Sequence, residues 1–237
     1  GANGITVHLR EDKRHIQDIC RKMEGAQIFI ADGHHRYEVA LRYLKLMREQ
    51  DSNYSLDKSY NYIMTYFTDF ESNGLCIMPV HRVIKSEIDL NSLKNNFRIK
   101  ELNSIVDLED KLNSSSKKNR MFGFMDDNNI LLLELKDKEQ TNKKFIKNKC
   151  FIDLDVAILD YYVLTELLKI NKNDIIYTKD ISRIRELLSN NEGKAAFILR
   201  PITVTQIKDV ALCGERMPPK STYFYPKLIS GLVAHKF

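Results

Sequence analysis

Residues 28–38 read Ile28-Phe-Ile-Ala-Asp-Gly-His-His-Arg-Tyr-Glu38. The apolar run Gln27–Ala31 has the length and composition of a short strand. Gly33 permits a tight turn after it. The spacing of Val39, Tyr43, Leu46 and Met47 then predicts a helix to about Gln50 with one buried face. Backbone N–H groups at such a helix start point outward, and with the helix dipole they attract anions. Arg36 suits a two-pronged phosphate contact. His34 and His35 donate hydrogen bonds or exchange protons near neutral pH. Asp32 is placed to hold a metal-bound phosphate or to act as a base. The plainer reading of the same residues is a helix capped by Asp32 with two surface histidines.

Outward from this stretch, strands and helices interleave without a strict βαβ rhythm. The pattern predicts an α+β fold, a mixed sheet with peripheral helices. Helices are expected from Glu11 to Lys22, Ile88 to Phe97, Ile105 to Leu112, Asp153 to Leu168, Ile181 to Leu188 and Thr203 to Ala211. Strands are expected over Tyr60–Phe70 and Leu75–Ile84, joined by the turn Glu71–Gly74. Arg120–Met125 and Ile130–Leu135 form a hairpin around Asp126-Asp-Asn-Asn129, and Ile175–Thr178 and Ala195–Leu199 are short strands. A last strand is expected near Leu228–Ala234.

Two further stretches carry charge at placed positions. In Met78-Pro-Val-His-Arg-Val83, His81 and Arg82 interrupt an apolar strand, which suggests a strand end facing a cleft. Arg82 would be a second phosphate ligand beside His81; an exposed edge strand is the alternative. Cys213–Lys227 holds three prolines among Glu215, Arg216, Lys220, Ser221, Thr222 and Lys227. A stiff loop with convergent charge suits a site, and Lys220 with Ser221 and Thr222 would grip a phosphate. A proline-stabilised crossover with core tyrosines explains the same residues. No GxxxxGK[ST] loop and no GxSxG motif occur. Asp153 and Asp155 have metal-ligand chemistry, but Asp153 also suits a helix cap.

The 237 residues are 43% hydrophobic and 29% charged, which excludes disordered, collagen-like and low-complexity chains. With 37 Lys+Arg against 32 Asp+Glu the net charge is +5, mixed in sign along the chain. The lysines of Lys136–Lys149 lack interleaved aromatic residues, so a solvated face is favoured there over nucleic-acid contact. Cys20, Cys76, Cys150 and Cys213 form no CxxC pair, and reduced core thiols are expected. No apolar run is long enough to span a membrane, so a cytoplasmic protein without a membrane partner is expected.

Residues 26–237 resemble the family of domain of unknown function 1015. The likeness rests on ADGHHRYEVALRY (Ala31–Tyr43), MPVHRV (Met78–Val83), LDVAIL (Leu154–Leu159) and GERMPPKSTYFYPKLISGLV (Gly214–Val233). It implies one α+β domain over residues 26–237 lacking an upstream part that family members carry. The DGHHR turn is also similar to the phosphate-binding turn of the ParB and sulfiredoxin superfamily, which includes nucleotide hydrolases and free-serine kinases. That likeness implies nucleotide phosphates on Gly33, His34, His35 and Arg36. The reactive cysteine of sulfiredoxin is replaced here by histidine, and the helix-turn-helix expected after a ParB motif is absent. Residues 1–25 form a segment of different resemblance. GANGITVHLREDKRHI (Gly1–Ile16) is similar to a piece of pyridoxine 5′-phosphate synthase, which implies a catalytic His8 and a phosphate-binding Lys13.

The leading expectation is a protein that binds a nucleotide or phosphorylated small molecule and transfers or hydrolyses a phosphoryl group, in the manner of a small-molecule kinase. Arg36, Arg82 and Lys220 would cradle oxygens bridged by Mg²⁺, and Asp32 or His35 would orient the nucleophile. The alternatives are a non-catalytic nucleotide-binding module, a pyridoxine 5′-phosphate synthase fragment and, fourth, a ParB-like DNA-associated protein.

Overall fold

The structure is a computed structural model, and it describes residues 11–70, 76–116, 119–136, 149–151, 153–227 and 234–236. Its frame is the hairpin of β4 (Met121–Met125) and β5 (Ile130–Leu135). Asp126 closes the turn, its carboxylate accepting from the N–H groups of Asn128 and Asn129 at 2.9 and 2.7 Å. β3 (Phe97–Glu101) pairs with the far edge of β5. On the other side follow β7 (Ala195–Ile198), β2 (His81–Ile84) and β6 (Ile175–Thr178). The six strands run in the order β3-β5-β4-β7-β2-β6. The α+β class is as expected, but every pairing is antiparallel, so the sheet is not mixed.

Strand alternation buries both faces. Phe122, Phe124 and Phe197 point to one face, where they make edge-on ring contacts. That face is covered by α5 (Asp155–Ala157, continued as a π-helix over Ile158–Leu167) through Leu159 and Val163, and by α7 (Val204–Leu212) through Ile207 and Val210. Met121, Met125, Ala196 and Ile198 point to the other face, against Leu108 and Leu112 of α4 (Ile105–Ser114) and Ile184 and Leu187 of α6 (Ile181–Ser189). Ser104 caps α4, and Thr203 with Gln206 forms a reciprocal capping box on α7.

Several segments depart from expectation. Only α3 (Asn91–Lys94) is helical within Ile88–Phe97, because Phe97 buries its ring against Phe122 and opens β3. The strand over Leu75–Ile84 divides at Val80 into β1 (Cys76–Pro79) and β2, which belong to different sheets. β1 pairs instead with β8 (Thr222–Tyr225), a strand hidden in sequence by the prolines before it. Among the described residues neither Gln27–Ala31 nor Tyr62–Phe70 joins a ladder; only Ser59–Asn61 forms a 3₁₀ turn. Residues 1–10, the turn over 71–74 and the strand expected over 228–233 lie outside the described residues.

α1 (Lys13–Met23) and α2 (His34–Gln50) form as expected, but no residue of α2 is fully buried. Val39 and Leu46 are exposed, and the half-buried stripe is Ala40, Tyr43, Leu44 and Met47. The cysteines depart as well. Cys150 and Cys213, 63 residues apart in sequence, form a disulfide instead of two thiols, and Cys20 and Cys76 are free but exposed rather than in the core. No described helix is long and apolar enough to cross a membrane.

Gly123 lies where β4 passes beneath α4. A Cβ there would sit 2.5 Å from Leu108 Cδ2 and 3.1 Å from Ile198 Cβ. Gly123→Ala should therefore destabilise the fold by about 1–3 kcal/mol through overpacking. Urea unfolding monitored by circular dichroism would show a lower midpoint at unchanged slope.

Candidate functional site

The first turn of α2 is built without a side-chain cap. Gly33 occupies the N-cap position at φ +81°, and among the described residues no side-chain cap bond is made there. Asp32 does not cap the helix; its carboxylate accepts from the Gly33 N–H at 2.8 Å. The first N–H groups of α2 therefore keep their anion-attracting character. The Arg36 side chain folds back over the glycine. A Cβ on Gly33 would lie 3.0 Å from an Arg36 guanidinium nitrogen. Among the described residues that guanidinium has no hydrogen-bond or ion-pair partner; it acts on Asp32 only through space.

The C-terminal segment closes on this turn. Lys227 donates to Asp32 at 3.0 Å and lies 4.8 Å from the Tyr223 ring centre. Arg216 pairs with Glu38, which also receives His35 at 3.5 Å. Partial burial works to raise the Asp32 pKa, but Lys227, the Gly33 N–H and Arg36 outweigh it and hold the carboxyl below its ordinary value. Burial, then the Arg216 charge, pushes the His34 pKa down, so its imidazole is neutral near pH 7. His35 is almost wholly exposed. Glu38, Arg216 and Lys227 join the turn although sequence reasoning did not place them in the site. All three sit inside the two stretches already singled out, and only the fold brings those stretches together.

The other expected residues lie elsewhere. Arg82 is fully buried and is no free phosphate ligand. Its guanidinium grips Asp160 of α5 at 2.9 and 2.7 Å and also donates to the Val80 carbonyl. His81 is buried, and its Nδ1 accepts from the Leu199 N–H at 3.1 Å rather than facing a cleft. Lys220 stands in a left-handed turn at φ +57°, Ser221 donates to the Pro218 carbonyl, and Thr222 starts β8. Among the described residues these three make no hydrogen bond or ion pair with Asp32–Arg36, so they form the entry to β8 and not a grip on the turn. Asp153 and Asp155 are paired with Arg120 and Arg200. His8 lies outside the described residues, and Lys13 is exposed at the start of α1.

No group of three His, Cys, Asp or Glu able to hold a metal occurs among the described residues. The carboxylates at the turn, Asp32 and Glu38, are already paired with cations. These donors do not build a protein-held magnesium site, and charge at the turn is balanced by side-chain cations.

A family model described as "Protein of unknown function (DUF1015)" matches residues 3–157. The chain belongs to this family. The DUF1015 match takes in the DGHHR turn, β2 and the hairpin, and it reaches further toward the N-terminus than the motifs alone suggested. A search of curated proteins returned no match. Among solved structures, a conserved hypothetical protein from Pyrococcus furiosus aligns at 14% identity over 91% of this chain and 84% of its own, with a TM-score of 0.42. A free serine kinase in complex with AMP aligns at 15% identity over 91% and 81%, with a TM-score of 0.42. A mutant of a free serine kinase in complex with ADP aligns at 13% identity over 92% and 82%, with a TM-score of 0.43. The likenesses to ParB, sulfiredoxin and pyridoxine 5′-phosphate synthase have no counterpart among these matches.

His81 gives this DUF1015 chain a pH-dependent core. Burial, then the Arg82 charge, lowers its pKa from 6.5 to about 4. Protonation therefore favours the unfolded chain. The stability it supports is fully present above pH 6.5 and is lost as pH falls toward 4. The loss should amount to about 3 kcal/mol across that window. His81→Gln, which keeps an acceptor for Leu199, should flatten the slope of unfolding free energy against pH over the same range.

Proposed function

We propose that the Asp32–Arg36 turn binds the phosphate groups of a nucleotide or phosphorylated small molecule, and that a phosphoryl group is transferred or hydrolysed there. The observation that carries this reading is the uncommitted Arg36 guanidinium folded over a left-handed glycine at an uncapped helix start. Arg36 would take two phosphate oxygens in a forked contact, and the first N–H groups of α2 would take another. Lys227 and Arg216 would add positive charge at the rim. Neutral His34 adds no charge, and its one N–H is engaged by the Ile30 carbonyl. Asp32, ionised at neutral pH, or His35 would orient the attacking hydroxyl or water. Phosphoryl transfer asks little more of a protein than this positioning and charge balance.

A second reading is a binding module without turnover. It is favoured by Asp32 and Glu38, both of which are already paired with cations, so that no unpaired carboxylate stands at the turn to act as base. Product formation separates the two readings.

The test is a thermal-shift series with ATP, ADP, AMP and inorganic phosphate, with and without Mg²⁺. A ligand at about 100 times its Kd should add roughly 2.7 kcal/mol of stability. Arg36→Ala should weaken that ligand about ten- to a hundredfold, as expected for a lost charge-assisted pair of hydrogen bonds. Equal shifts in parent and variant would remove the turn as the phosphate site. Labelled phosphate released or transferred by the parent would establish turnover.

A further inference from the structure

The Cys150–Cys213 disulfide joins the 3₁₀ turn Lys149–Phe151 to the C-terminal end of α7. Cys150 is half-buried against the core, whereas Cys213 is an exposed residue. Cys213 is also where the chain leaves α7 to form the strap that reaches the α2 turn. Gly214 turns the chain at φ +73°, and Arg216 follows three residues after Cys213 to pair with Glu38. Met217 then packs partly against the core, and β8 fixes the far end of the strap on β1. Gly214–Arg216 is held by the disulfide at Cys213, by the Gly214 and Glu215 N–H groups donating to the Ala211 and Val210 carbonyls at 2.9 and 3.2 Å, and by Met217 on the other side. Its own contact with α2 is an exposed ion pair, the kind that contributes little by itself. Exposed disulfides belong to the labile, regulatory class more than the structural one.

We infer that Cys150–Cys213 is a reducible clasp that sets Arg216 against the first turn of α2, so that the thiol state of this pair controls ligand binding at the turn. The control of binding rests on the phosphate-binding reading above; the clasp itself does not. In the reaction, a thiolate of a dithiol reductant attacks the Cys213 sulfur, and the S–S bond breaks to leave Cys150 as thiolate. The second thiol of the reductant resolves the mixed disulfide. Two electrons and two protons pass to the protein, giving two thiols, and the reductant leaves as its own disulfide. Freed of the clasp, Cys213–Arg216 is restrained by the Gly214 and Glu215 hydrogen bonds to the end of α7 and by the surface ion pair with Glu38, and Arg216 is set less firmly against the turn.

The test uses the full chain in a Cys20→Ser/Cys76→Ser background, which removes the exposed free thiols. Amide exchange by mass spectrometry is compared for the oxidised and dithiothreitol-reduced forms, with the thiol count read from intact mass. Reduction should speed exchange in peptides covering 212–217 and 32–38 by about tenfold, leave β4 and β7 unchanged, and weaken ATP binding by a similar factor. Arg216→Ala in the oxidised protein should reproduce the faster exchange at 32–38. Cys213→Ser should match the reduced form without reductant. Unchanged exchange at 212–217 and 32–38 after complete reduction would overturn the clasp. So would equal acceleration in β4 and β7, which would make the bond a global staple. Faster exchange with unchanged ATP affinity would overturn control of binding. Failure of the oxidised form to bind ATP or inorganic phosphate would overturn the phosphate reading, while the exchange data would still decide the clasp.

Discussion

Arg82 is the point through which the two parts of the molecule are joined. It lies at the step where the chain leaves the β1–β8 ribbon and enters the six-stranded sheet. One nitrogen donates to the Val80 carbonyl at that step, and two others hold Asp160 on the helix that covers the sheet. Tyr177 of β6 faces the guanidinium at 5.3 Å. Removing Asp160 leaves the fully buried guanidinium without its carboxylate and with no water to receive it, which costs about 3–5 kcal/mol. The ribbon's departure from the sheet is thus tied to the core. The ribbon in turn carries β8, and β8 carries Tyr223 and, two residues beyond its end, Lys227, which reaches Asp32. A side chain that reads in sequence as a phosphate ligand instead fixes the path of the strand that brings a cation to the Asp32–Arg36 turn.

The parts of the fold that were legible are those where local chemistry and final packing agree. The β4–β5 hairpin combines alternating apolar residues with an Asp-Asn turn whose side chains close it. The α4 and α7 helices carry their caps in sequence, at Ser104 and Thr203. Legibility failed where a distant partner decides. Phe97 sits at the end of a helical pattern, yet its ring is worth more against Phe122 and Tyr162 than in a helix. β8 lies between two prolines and a third, and resembles a loop until Cys76–Pro79 arrives to pair with it. Cys150 and Cys213 show no spacing that would join them; their approach to a Cα distance of 6.5 Å is a product of the tertiary fold.

The candidate site divides in the same way. Gly33 and Arg36 were legible because the requirement is local: a residue at positive φ before a helix, and an arginine one turn in. His81 and Arg82 were misleading because polar residues inside an apolar strand fit two descriptions. A cleft-facing strand end and a fully satisfied core pair look the same until Asp160 and the Leu199 N–H are placed beside them. Lys220, Ser221 and Thr222 misled for a related reason, since the chemistry that grips a phosphate also closes a turn. Lys227 and Arg216 became part of the site only through the ribbon and the strap.

The balance of charge at the turn follows from how weakly its ion pairs are held. Lys227 with Asp32, and Arg216 with Glu38, are pairs in which at least one partner is about half exposed or more. Such pairs contribute about 0–1 kcal/mol each. An arriving phosphate would compete with Asp32 and Glu38 for the same two cations, and the exchange would cost little. Arg36, already folded over Gly33 and with no partner to give up among the described residues, would lose less still. On that reading the carboxylates would act as placeholders that keep lysine and arginine oriented until a ligand arrives. A buried, fully satisfied network such as that of Arg82 could not serve this purpose, because its contacts are too costly to break. The core and the candidate site thus use the same residue types to opposite ends, and burial decides which end each pair serves.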